Sequence, residues 1–324
     1  MASISEKPLG LVVISSLLSV SVLNYQRREA LLQSLAMVRM QRYIPREIIV
    51  VDNHSDDGTV ECVFSNFPDV HVVPLPRNEG TVARNYGVQA AKGDIVITLD
   101  NDVHLASPFE LDKIANAFAA HPEASCITFK VLEGESDKLA VCAWCHPYPY
   151  WKYSDTAFET DYISEGACAF RRRAFLDAGG YWGPLWIGHE GWDLGLQLLN
   201  RGGHILYDPS VRVRHMHCSE TRPSFRPFYF YTRNYLWVAA RNYSASGAVR
   251  YLGEKLAMMA WFSARTKNLR AFGRGLRDGI VGLPAALRAR RALSPEVWKT
   301  LKALESKRPG IVSRLRRHRE RPLL

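Results

Sequence analysis

The chain has 324 residues, 47% hydrophobic and 23% charged, with a formal net charge of +10. That length admits one large domain or two, each able to bury a core, and six cysteines without framework spacing fit a reducing compartment rather than a disulfide scaffold. The charge is uneven: residues 251–324 hold 18 Lys+Arg against 5 Asp+Glu, while residues 1–250 hold 24 against 27. A basic C-terminal quarter points to an anionic surface, phospholipid or nucleic acid, as its partner.

No stretch reaches the roughly 18 apolar residues that span a bilayer. "LGLVVISSLLSVSVL" (9–23) resembles a signal-peptide core, but no small-x-small cleavage site follows, and a buried strand is the better reading. Along the chain, "LSVSVLNY" predicts a strand and "QRREALLQSLAMVRMQ" an amphipathic helix. "EIIVVDN" (strand), "SDDGTVECVFSNF" (capped helix), "VHVVPLP" (strand), "TVARNYGVQAAK" (helix) and "DIVITLDND" (strand) come next. Four β runs alternating with helices describe a parallel, Rossmann-like sheet. In such sheets ligands lie beyond the carboxyl ends of the strands. The polar signals fall there: Asn24 and Tyr25, Asp52 and Asn53, Asp100 and Asp102.

After residue 105 the alternation weakens. "SPFELDKIANAFAAHP" predicts a helix, "SCITFKVL" a strand and "VCAWCHPYPYWKYSD" an aromatic loop. "ISEGACAFRRRAFLDAGGYWGPLWIGHEGWDLGLQLLNRG" predicts strand, helix, Gly/Trp-rich loop and helix, and "HILYDPSVRVRH" a further strand. From about Phe228 the pattern is helical, broken at Pro284, Pro295 and Pro309. These boundaries give a catalytic domain over 1–225, with a donor half at about 9–105 and an acceptor half at about 106–225. A basic, aromatic helical region fills 226–324.

Asp100 and Asp102 form a D-x-D at a strand end. Paired hard oxygen ligands suit Mg²⁺ or Mn²⁺ completed by substrate phosphates and water. "NYQR", "VVDNHSDDGT", "NEGTVARNYG", "LDNDV", "HEGWDLGLQLLNRGG" and "VRVRH" then occur in order between about residues 19 and 217. With these motifs the chain resembles glycosyltransferase family 2, with the GT-A fold. Its C-terminal "RNYLWVAARNY" is similar to bacterial members that glycosylate lipid-linked or cell-surface acceptors, rhamnosyltransferases among them.

The resemblance implies an inverting, metal-dependent hexosyl or deoxyhexosyl transfer from a UDP-, dTDP- or GDP-sugar to a glycan or glycolipid hydroxyl. Asn24 and Tyr25 would line the nucleobase end and Asp52 would accept from a base N–H. Asn53, Asn78, Gly80 and Arg84 would complete the donor site. Asp100 would face the ribose or a metal-bound water, and Asp102 and His215 would ligate the metal. The proton-accepting base of the family lies in an acidic "ED" pair before a helix; here that stretch is Glu190-Gly191, so the second acid is missing. Glu190 is the expected base and Asp193 the runner-up, Asp193 also suiting a helix N-terminus. Trp186, His189 and Trp192 would stand on the acceptor side.

"CAWCH" (142–146) matches a c-type haem attachment, but no export signal accompanies it. Cys142, Cys145, His217 and Cys218 are a conceivable zinc set. The basic tail suits an anionic membrane surface, or else a helix packed on the catalytic domain. No nucleic-acid motif accompanies it. The reading is a cytoplasmic enzyme, peripheral on the inner membrane face, with a homodimer through the aromatic segment as an option. Its rivals are a nucleotidyltransferase, disfavoured because "LNYQRREA" lacks a glycine-rich loop, and a non-catalytic nucleotide- or lipid-binding relative.

Overall fold

The computed structural model describes residues 16–216 and 225–309. In chain order it begins with β1 (Leu18–Asn24), α1 (Arg28–Arg39), β2 (Arg46–Asp52), α2 (Thr59–Asn66), β3 (Val70–Pro74), α3 (Arg84–Ala90) and β4 (Ile95–Asp100). The strands stand side by side as β3-β2-β1-β4, all parallel, as the alternation of elements predicts. Helices cover both faces, so these strands read as nearly unbroken apolar runs rather than as an alternation. Val20, Val22, Val50 and Ile97 pack with Leu31, Leu35 and Val38 of α1, while Ile49, Val51 and Val96 pack on the other face with Val88 of α3.

The chain continues through β5 (Val103–Leu105), α4 (Glu110–Ala120), β6 (Ala124–Glu133), α5 (Tyr150–Tyr153), β7 (Phe158–Glu159), β8 (Ala167–Arg171), α6 (Arg172–Ala178), α7 (Glu190–Asn200) and β9 (His204–His215). Here the sheet is mixed. β8 runs antiparallel to β4 and β6, and β9 runs parallel to β6 but antiparallel to β5 and β7. The short strands β5 and β7 are too brief to carry a periodicity, and the sequence reading did not include them.

α8 (Arg226–Asn242), α9 (Ala245–Arg265), α10 (Leu269–Val281), α11 (Leu283–Arg288) and α12 (Pro295–Glu305) pack back onto this layer. Leu196 of α7 shares a core with Val238 and Ala239 of α8 and Val297 and Leu301 of α12. Pro284 and Pro295 fall in first helical turns, where the missing N–H has no partner to lose. α10 crosses α8 at Gly275, where an added Cβ would stand 2.6 Å from the Tyr229 carbonyl oxygen. Within the aromatic segment, Phe228 and Tyr235 of α8 are buried against α9, while Phe225 at its start is exposed. No described helix is long and apolar enough to cross a membrane.

Candidate active site

Strand register assembles the donor end. Asn24 pairs with Asp52, and Leu23 with Asp100, so three adjacent strands end together. Asn24 is wholly buried; its Nδ2 donates to Asp52 Oδ1 at 3.1 Å and its Oδ1 accepts from Asn101 Nδ2 at 2.6 Å. Asp52 Oδ2 accepts the Ser55 amide at 2.9 Å, so each oxygen of this buried carboxylate already has a protein donor. Tyr25 is exposed beside it. The "SDDG" stretch does not cap α2 in the ordinary way, since Gly58 is the N-cap. Asp57 instead accepts the backbone amides of Arg28 and Thr59, tying the starts of α1 and α2 together.

Three of the residues assigned to the donor hold one another. Asn53 Nδ2 donates to Asn78 Oδ1 at 3.1 Å and to the Gly80 carbonyl at 3.0 Å, and Asn53 Oδ1 accepts the Glu79 amide at 2.8 Å. Asn78 Oδ1 also accepts the Gly80 amide at 2.8 Å. They act as a clamp on the loop before α3. Gly80 has a φ of 69°, and a Cβ there would run into the Trp186 carbonyl and ring. Gly80→Ala is therefore expected to cost about 2–3 kcal/mol, read as a lower urea midpoint, because a backbone carbonyl must move as well as φ.

Asp102 and His215 meet because β5 pairs with β9, setting Val103 opposite His215. His215 Nε2 lies 3.6 Å from Asp102 Oδ1, and Arg27 Nη1 lies 2.6 Å from Asp102 Oδ2. A carboxylate and an imidazole at that separation fit a shared Mn²⁺ or Mg²⁺ with phosphate and water oxygens completing the shell. No cluster of three or more His, Cys, Asp or Glu stands among the described residues. Asp100, expected with Asp102 in the metal set, is ion-paired with Arg84, and both line a separate space. Burial opposes the charge on Arg84, and Asp100, Glu165 and Glu190 around it outweigh that and keep it cationic.

That space is a cavity of about 450 Å³ between the sheet layer and the C-terminal helices. Thr81, Arg84, Asp100, Glu165 and Glu190 line its sheet side, while Tyr251 of α9 and Trp298 of α12 line the helical side. Arg308 joins the two, donating to Asp161 Oδ1 at 2.6 Å. Gly188 and His189, both at positive φ, turn the chain into α7. Asn234 of α8 secures this turn by donating to the carbonyls of Leu185, Ile187 and Gly188 at 3.0, 2.9 and 2.6 Å. His189 lines the cavity between Tyr231 and Tyr235, and burial lowers its pKa to about 3, so it is neutral.

The acidic groups are arranged differently from the sequence expectation. α7 starts at Glu190, three residues before the start expected near Asp193. Asp193 does not line the cavity. It is fully buried, ion-paired with Arg241, and accepts from Asn242 Nδ2 at 2.7 Å, which removes it as a base. Glu190 is also buried, and its Oε1 accepts the Thr81 hydroxyl. Sequence reasoning missed Glu165: its Oε1 accepts the Gly191 amide at 2.9 Å, and it lines the same cavity. Burial, then the Glu190 charge, push the Glu165 pKa up to about 8. The only sequence signal for it was "SEG" beside a glycine at 191, and no periodicity marks that contact.

Trp192 lines the cavity and donates to the Tyr243 hydroxyl at 3.3 Å. Trp186 does not line it. Its ring stacks on Phe230 at 5.1 Å, and its carbonyl accepts from Thr81, so it is not an open sugar platform. His146 of "CAWCH" is buried among Trp144, Phe158 and Tyr207 with Nδ1 bonded to Thr160, an aromatic cluster with no room for haem. Cys142 and Cys145 are free thiols, and the other two residues of the zinc set, His217 and Cys218, lie outside the described residues.

A mixed α/β sheet of this order, with polar groups at the strand ends and a cavity beyond them, defines a nucleotide-sugar transferase class of fold. Residues 16–238 match the model of the glycosyltransferase-like family 2, and the chain belongs to that family. It is 26% identical over 186 residues to the uncharacterized glycosyltransferase YwdF of Bacillus subtilis, covering 56% of this chain and 67% of that protein. It spans smaller shares, 18% and 46%, of other curated relatives it matches. Among solved structures it is similar to Staphylococcus aureus TarS 1-349 in complex with UDP-GlcNAc (TM-score 0.59, 18% identity, 84% of this chain and 83% of that one). It is also similar to the mannosyltransferase PcManGT from Pyrobaculum calidifontis in complex with GDP-Man and Mn²⁺ (TM-score 0.52, 20% identity, 88% and 78%).

Proposed function

We propose that the chain transfers a sugar, with inversion and with a divalent metal, from a nucleoside diphosphate sugar to a hydroxyl of a glycan or glycolipid acceptor. The observation that carries this reading is the grouping of Asn24, Asp52, Asp100 and Asp102 at adjacent strand ends, next to a cavity whose sheet side also holds Glu165 and Glu190. The nucleotide sugars in the TarS and PcManGT structures, and the Mn²⁺ in the latter, support it.

In this mechanism the acceptor oxygen attacks the anomeric carbon from the face opposite the diphosphate. The C–O bond to the diphosphate breaks, and its electron pair leaves with the phosphate oxygen. The acceptor proton passes to a carboxylate of the Glu165–Glu190 pair. A metal held by Asp102 and His215 would neutralise charge on the leaving diphosphate. Arg84 stays cationic on the floor and holds Asp100. Tyr251, Trp298 and Trp192 give the cavity the aromatic walls that sugar rings pack on. Leu269, Ile280, Val281 and Leu287 are exposed in the basic C-terminal helices, which supports residence on an anionic membrane surface at the cytoplasmic side.

The test is a donor screen: UDP-, dTDP- and GDP-sugars with Mn²⁺, with free nucleoside diphosphate recorded with and without EDTA. One donor should be hydrolysed slowly and EDTA should abolish it. Asp102→Asn should lower that rate by at least about 100-fold, because diphosphate charge would go unneutralised. No release and no calorimetric binding of any of these nucleotides would refute the reading. Binding without release from any donor, even with candidate acceptors, would favour the non-catalytic alternative.

A further inference from the structure

Glu165 and Glu190, the two glutamates on the sheet side of the cavity, are not equivalent. Of the other acids that line it, Asp100 is paired with Arg84, Asp161 with Arg308, and Glu254 and Glu305 stand on the helical side. Glu190 has no oxygen open to a substrate: Oε1 is taken by the Thr81 hydroxyl, and Oε2 is buried without a hydrogen-bond partner among the described residues. Thr81 in turn donates its amide to the Trp186 carbonyl at 2.8 Å, so Glu190 locks the clamp loop to the turn before α7. Glu165 is half-buried and is held through one oxygen only, by the Gly191 amide in the first turn of α7. Its Oε2 is not among the buried orphan atoms, and the residue lines the cavity.

Glycine at 191 makes this placement possible. A Cβ there would stand 2.7 Å from Glu165 Cδ, so any side chain at 191 would evict the carboxylate. The neighbouring glycine does the same for the donor side. Gly166 has no side chain where Asp100 sits, and its carbonyl accepts the Asp100 amide at 3.2 Å. Thr98 of β4 bonds the Glu165 carbonyl at 2.8 Å, fixing its backbone to the strand that ends in Asp100. Two absent side chains thus bring Glu165 to the boundary between the donor acid and the aromatic half of the cavity.

We propose that Glu165 is the general base of the transfer and that Glu190 is a positioning residue holding the Thr81 loop. This rests on the glycosyl-transfer reading above. The acceptor hydroxyl gives its proton to Glu165 Oε2 as its oxygen bonds the anomeric carbon and the diphosphate leaves with the electron pair of the broken bond. The Gly191 amide keeps Oε1 in place and shares the negative charge of the base before it is protonated.

Water serves as the probe nucleophile, and the donor is the nucleotide sugar that the wild-type protein hydrolyses with Mn²⁺. Glu165→Gln keeps an oxygen to accept from the Gly191 amide but cannot take a proton. It should bind that donor within about twofold of wild type by calorimetry, and release nucleoside diphosphate on the order of 100- to 10,000-fold more slowly. Glu165→Ala should lose as much rate, and adding Gly191→Asp to it should restore at least about tenfold by returning a carboxylate to the same space. A Glu165→Gln rate within threefold of wild type would overturn the assignment. So would a parallel loss of donor binding and rate, or no rescue by Asp at 191. Should the wild-type protein hydrolyse no donor, the failure lies with the functional reading itself, and this assignment falls with it.

Discussion

Arg241→Met should cost about 3–5 kcal/mol of stability, because it strands the Asp193 carboxylate in the core. Asp193 is fully buried and Arg241 only 3% exposed, and their ion pair joins α7 to α8. Burial pushes the Asp193 carboxyl up, against the pull of Arg241 and the Asn242 amide. Removing the arginine leaves only the Asn242 amide and the more distant Arg291 charge against burial. Arg241 also lies over the Trp182 ring at 5.2 Å, so some packing goes with it. The double variant Asp193→Leu with Arg241→Met removes both charges and should recover most of the loss, since apolar replacement of a complete buried pair is often close to neutral. Urea midpoints of the single and double variants measure this coupling. The double variant should also hydrolyse donor at a rate near that of the wild type. Loss of hydrolysis in a stably folded double variant would return Asp193 to the chemistry.

The parallel half of the sheet was legible because its strands are buried on both faces and read as apolar runs between amphipathic helices. Asn24, Asp52, Asp100 and Asp102 were legible as polar residues at the ends of those runs. The acceptor side was not. Asp193 and Glu190 sit in the first turn of one helix, three residues apart, yet one faces Arg241 and the other the Thr81 loop. Which of them meets the cavity depends on α8, whose side chains come from some fifty residues away in sequence. Glu165 reaches the site through a contact with a glycine amide, and residue type alone gives no sign of that. Trp186 looked like a sugar platform until Phe230, on that same helix, covered its ring.

The same carboxylate pair should make the protein's stability fall with rising pH between about 4.5 and 8, and Glu165→Gln should reduce that fall, leaving the part due to Glu190. The Glu165 pKa rises from its ordinary 4.5 to about 8, through burial and then through Glu190, whose own pKa is also raised by burial. A folded-state pKa above the unfolded one means that the native protein holds the extra proton in this window. Stability is then full below the unfolded value and declines until the folded value is passed. Arg84 and the Gly191 amide pull the other way, and Tyr162 and Tyr181 also feel the group without carrying charge below pH 8. Allowing for coupling within the pair, the penalty at pH 8 is about 2 kcal/mol. The melting temperature of Glu165→Gln should therefore match wild type at pH 4.5 and exceed it by roughly 3–6 °C at pH 8. His146 and His189, held neutral with pKa values lowered to about 3, destabilise both proteins alike as the pH drops below about 6.5, so they cancel in the difference. A variant more stable than wild type and yet unable to turn over donor would show that the fold bears the cost of this half-buried acid for its chemistry. Equal melting temperatures at pH 8 would mean that Glu165 meets water more freely than its burial indicates.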